Sequence, residues 1–115
     1  MTVLEAYTAA VDAFSELVKK FQAYAEASEY DGKEDFGKWL DKLQKATKEV
    51  ESAYGDAKAK TATLEKTLDD YVKANRDKIK GDKAKEEGVK AADEAIRSLQ
   101  QGLQEIRYHL DANKL

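Results

Sequence analysis

Seven apolar residues near the start of the chain, Val3, Tyr7, Ala10, Phe14, Leu17, Phe21 and Tyr24, alternate steps of four and three. Side chains at this spacing lie on one side of an α-helix, and that side must be buried against another element. Leu4, Val11, Val18 and Ala25 add a second line beside it, so the face is wider than a two-stranded seam and calls for more than one neighbour. Thr2 and Glu5 have capping-box spacing. The first helix is therefore expected from about Val3 to near Ser28.

Tyr30, Asp31 and Gly32 interrupt the period, and Asp31 with Glu34 repeats the capping pattern for the next segment. Phe36, Leu40, Leu43, Thr47, Val50 and Tyr54 resume the stripe, with Trp39 on its flank. Gly55-Asp56 and Gly81-Asp82 are further punctuation, each pairing a residue suited to the left-handed helix end with one suited to cap the next helix. Breaks near residues 31, 55 and 81 predict an all-α, antiparallel up-down bundle of four helices in a single domain over residues 1–115. A second partition competes with it. The stripe continues in phase through Gly55 as Ala57, Thr61, Leu64, Leu68 and Tyr71, which allows three long helices. In that arrangement a continuous central helix 32–79, roughly 70 Å long, would need a partner chain to cover its sparse middle. The final segment places Val89, Ala92, Ile96, Leu99, Leu103, Ile106 and Leu110 on one side, with Gly88 and Gly102 beside the stripe as points of close helix approach. Its end is expected to fray after Asp111.

The polar faces repeat acid-to-base pairs four residues apart: Glu16 with Lys20, Glu34 with Lys38, Asp41 with Lys45, Glu86 with Lys90 and Asp93 with Arg97. This orientation favours helicity at about 0.2–0.5 kcal/mol per pair. With 37% of residues charged but a net charge of only -3, the composition does not point to nucleic acid. The N-terminus lacks the basic and unbroken apolar regions of a cleaved secretory signal, and no window is apolar enough to span a bilayer. A cytoplasmic location is the expectation, with leaderless export compatible.

The chain has no cysteine and one histidine, which removes thiol chemistry, disulfides and cysteine-bound metals. His109 has neither a Glu-x-x-His nor a His-x-x-x-His companion and reads as a flanking or surface residue of the last helix. The adjacent acids Asp69-Asp70, Glu86-Glu87 and Asp93-Glu94 each have a basic residue within four positions, the mark of a solvated helix face rather than of a catalytic acid. Ser15, Ser28, Ser52 and Ser98 lie in no nucleophile-elbow motif, and Gly81-Asp82-Lys83 is too glycine-poor for a phosphate loop. No enzyme activity, cofactor or metal is expected.

What remains is recognition. Tyr7, Phe14 and Phe21 read as core. Trp39 can seal one end of the bundle or, with Tyr30, anchor another protein, and Tyr108 sits just off the last stripe with the same choice. The expected function is a non-enzymatic protein-protein interaction module, an inhibitor, adaptor or assembly component, with Tyr30, Trp39 and Tyr108 as candidate contacts and a homodimer as one possible assembly. The alternative is a nucleic-acid-associated helical protein using Lys58, Lys60, Lys66, Lys73, Arg76, Lys78 and Lys80, although acids at 56, 65, 69, 70 and 77 interrupt that field.

Overall fold

The structure, a computed structural model, describes residues 1–112. Among these the fold is all-helical, with α1 at Val3–Ala27, α2 at Phe36–Ala74, the single turn α3 at Arg76–Ile79 and α4 at Lys83–Ala112. The helices form an antiparallel up-down bundle drawn out into a rod of 64 × 20 × 18 Å. α1 and α4 run the same way, both packed on α2 and touching each other at Phe14–Gly102 and Phe21–His109. The chain thus has four helices, but they are divided differently from the expected quarters. Gly55 lies inside α2 and breaks nothing. The fourth helix is the short α3, so the long central helix of the second partition is the one observed, ending at Ala74 rather than 79.

Two reasons account for the continuity. The apolar phase passes through Gly55 unchanged, with Val50, Ala57, Thr61, Leu64 and Leu68 all buried, and an isolated mid-helix glycine costs only about 1 kcal/mol. The turns that do form are the ones where glycine adopts a positive φ: Gly32 at 77° and Gly81 at 87°. Asp82 then caps α4, its Oδ1 accepting from the Lys85 amide at 3.3 Å. At the first turn the cap falls later than expected. Asp35, not Asp31, precedes α2 and accepts from the Lys38 amide at 3.3 Å. Asp31 instead closes the loop, Oδ1 accepting from the Lys33 and Glu34 amides at 2.9 and 3.2 Å. The capping box at the start of α1 is present, with Thr2 and Glu5 bonded reciprocally at 3.1 and 3.2 Å. α4 is helical through Ala112, and the expected fraying beyond it lies outside the described residues.

The core is a line of small and branched side chains in two clusters. One gathers Ala13, Leu17, Tyr24, Leu43, Val50, Ala57, Leu103, Ile106 and Leu110; the other gathers Ala6, Ala10, Leu64, Leu68 and Ile96. The α4 stripe is the one expected. In α1 the buried line is rotated: Ala6, Ala10 and Ala13 are buried, Phe14 and Phe21 are half-buried, and Tyr7 is 40% exposed. Tyr7 is therefore a surface residue rather than core. Ala13 packs in the cluster that holds Ala57, while Ala6 and Ala10 pack with Leu64, Leu68 and Ile96, so small residues on α1 admit larger ones from α2 and α4 at close-packed density. Thr61 carries no orphaned hydroxyl, since Oγ1 donates to the Ala57 carbonyl at 2.8 Å. Gly102 lets α4 approach α1, with the Phe14 ring over it. Gly88 meets nothing within 4 Å of an added Cβ and has no such role.

Candidate functional site

The end of the rod where α1 gives way to α2 is built from aromatic rings. Tyr30 leaves the loop after α1, Phe36 opens α2, and Trp39 follows one turn later on the same side. Their centroids are 5.0 Å apart for Tyr30–Trp39, 5.4 Å for Phe36–Trp39 and 5.7 Å for Tyr30–Phe36, the last edge to face. Hydrogen bonds fix two of the three. Trp39 donates from Nε1 to the Ala27 carbonyl at 2.8 Å, which satisfies one of the acceptors left open in the last turn of α1. Tyr30 donates from its hydroxyl to the Glu34 carbonyl at 2.7 Å. Trp39 is half-buried and packs against the core at this end of the bundle. Tyr30 and Phe36 remain 42% and 57% exposed. Sequence reasoning placed Phe36 in the core stripe and missed it here; its position in the first turn of α2, beyond the last turn of α1, was the available signal.

Charges of both signs ring this end, with Glu29, Asp31, Glu34, Asp35 and Asp41 against Lys33, Lys38 and Lys42. Lys42 pairs with Glu34, so Glu34 reaches forward two turns instead of pairing with Lys38 as its spacing suggests. The Asp31 carboxyl is held below its ordinary range by the amides of Lys33 and Glu34.

Tyr108 stands apart from the cluster. It is 70% exposed on α4, its ring 5.8 Å from that of His109. His109 is exposed and lies 6.1 Å from the Phe21 ring. Among the described residues no group of three His, Asp or Glu is placed to hold a metal ion. Among the same described residues no helix is long and apolar enough to cross a membrane.

The basic residues are spread over α2, α3 and the turn after it, although Lys58, Lys66 and Lys73 fall within about 80° of one another around α2. Lys60 is two positions on from Lys58, about 160° around α2. Lys66 lies beside Asp70 in the lining of a cleft at the opposite end of the rod. Lys73 is bound to Asp69 at 2.9 Å, which raises its pKa. Arg76 and Lys78 belong to α3, and Lys80 to the turn after it.

The best-formed polar contact was not anticipated. Arg107 on α4 makes a two-pronged bond to Glu51 on α2 at 2.7 and 2.8 Å and a further bond to Asp111 at 2.8 Å. Its guanidinium also lies 5.1 Å from the Tyr54 ring centroid. Both carboxylates hold its proton more firmly, Glu51 first. The contact spans 56 positions in the chain, so no local spacing announced it. Comparison with protein-family models, with curated proteins and with solved structures found no match.

Proposed function

We propose that the protein is a non-enzymatic protein-protein interaction module, an inhibitor, adaptor or assembly component, that presents the aromatic end of its rod to an apolar surface of another protein. The observation that carries this reading is the Tyr30–Phe36–Trp39 cluster, exposed yet held by hydrogen bonds to the Ala27 and Glu34 carbonyls. Rings fixed before binding lose little freedom on docking, and large aromatic anchors dominate protein interfaces. Tyr108 is a separate surface residue and is not required for this contact.

The test is photo-crosslinking from position 36 in the cells that make the protein. The expected outcome is one protein captured in preference to all others, with capture reduced at least about tenfold by Tyr30→Ala. Lys60, exposed along the rod, provides the control position. Capture of the same set from positions 36 and 60, or of nothing from position 36, overturns the proposal.

A further inference from the structure

α1 carries two heptad lines, not one. The first, Val3, Ala6, Ala10, Ala13, Leu17, Tyr24 and Ala27, faces the core that α2 completes. The second, Leu4, Tyr7, Val11, Phe14, Val18, Phe21 and Ala25, runs in the same alternation one position later, and so lies about 100° further round the helix. A helix with two such lines needs two neighbours along its whole length. α4 supplies the second neighbour only in part: Phe14 rests on Gly102 and Phe21 faces His109. Leu4 remains 73% exposed, Tyr7 40% exposed, Val11 and Val18 half-buried and Ala25 exposed. Just outside this line lie Thr8, Ser15 and Gln22, all exposed. The strip Leu4, Thr8, Val11, Ser15, Val18, Gln22 and Ala25 therefore carries no charge from end to end, in a chain of which 37% is charged.

We propose that this outer seam of α1 pairs antiparallel with the same seam of a second copy, about a two-fold axis beside Ser15. The surface is separate from the aromatic end, and the proposal does not rest on the reading given for it. Self-pairing is favoured by how the seam is distributed about Ser15. An antiparallel partner sets Val11 opposite Val18 of the second copy and the bulky Leu4 opposite its small Ala25, so large meets small at both ends. Asp12 and Lys19 lie on one flank of the strip on either side of the axis, and antiparallel pairing brings each against the opposite charge of the other copy. The area suits a weak pair: 22 residues of helix, about 33 Å, across a helix about 10 Å wide give about 330 Å² per copy and about 660 Å² in all, the range of transient contacts. At the outer ends Glu5 meets Glu26 of the other copy, a like-charge contact that weakens the pair.

Sedimentation equilibrium from about 5 to about 500 µM is expected to show the mass rising from 12.9 kDa toward twice that value. Ser15→Arg, at an exposed position on the axis, weakens association at least about tenfold with unchanged helical circular dichroism, and Glu26→Lys strengthens it. Leu4→Glu, at the exposed end, provides a second disruption should Ser15→Arg perturb folding. Because the chain has no cysteine, orientation is read directly. Ser15→Cys joins to itself on mild oxidation, Leu4→Cys joins to Ala25→Cys in a mixture, and Leu4→Cys alone does not join to itself. A monomer at the highest concentration, a dimer that neither disruption weakens, or efficient self-joining of Leu4→Cys overturns the pairing. Crosslinking from position 36 judges binding at the aromatic end independently of these outcomes.

Discussion

A methyl group added at Gly102 would sit 2.6 Å from Cζ and 2.9 Å from Cε2 of Phe14, closer than real Cβ contacts come. Glycine there keeps α4 against α1, while at Gly55 and Gly88 an added methyl meets nothing within 4 Å. The three glycines should therefore answer the same substitution differently. Gly55→Ala and Gly88→Ala are expected to raise stability by about 0.5–1 kcal/mol each, the ordinary propensity gain of an exposed helix. Gly102→Ala sets the same gain against overpacking worth about 1–3 kcal/mol and is expected to lose stability. In a Phe14→Leu background the sign of Gly102→Ala reverses. Urea denaturation of the two singles and the double checks this, and additive effects would show that the ring and the glycine are not coupled.

At the scale of elements, the helix starts carry the pH dependence. The Thr2 amide and hydroxyl hold the Glu5 carboxyl below its ordinary 4.5, and the Lys33 and Glu34 amides hold Asp31 below its ordinary 3.8. Groups with depressed folded values contribute stability that is fully present above their unfolded values and lost as pH falls through the folded ones. On acidification the first turn of α1 and the α1–α2 loop should loosen before the middle of α2. NMR titration of the two carboxyl carbons is expected to give midpoints below 4.5 and 3.8; midpoints at or above those values would remove the cap contribution. These elements also show what was legible in advance. Both ends of α1, the Gly81-Asp82 turn and the α4 stripe follow from capping and periodicity, which are local. Gly55 does not end α2, because a glycine-aspartate pair is a turn signal only where the apolar phase also breaks, and there it does not. The rotation of the α1 face depends on α2 and α4 offering Leu64, Leu68 and Ile96 to Ala6 and Ala10, a fact that no window of α1 contains. Tyr30 and Trp39 were visible as candidates from residue type and place, whereas Phe36 was hidden inside a stripe whose first member has no helix opposite it.

Over the whole molecule, Arg107 ties α4 to α2 at the end where α1 and α4 carry the rings of Phe21, Tyr108 and His109. The pair is only partly screened from water, with the Arg107 side chain 26% exposed. Its two-pronged bond is expected to contribute about 0.5–1.5 kcal/mol, more than an ordinary surface pair. Arg107→Lys keeps the charge but not the fork, so it should recover less than half of what Arg107→Ala loses. Thermal unfolding of both variants at low and high salt checks this, and equal stability of wild type and Arg107→Lys would reduce the contact to a simple point charge.

The packing of both α1 and α4 on α2 has a kinetic corollary. Each helix pair that supplies most of the burial is joined by a short turn, so a growing hairpin can zip from its bend without first closing a long loop. The α1–α4 meeting at Gly102 joins residues far apart in the chain and is expected to form after the two hairpins. Chains wired in this way have low contact order and reach the native state within microseconds to milliseconds.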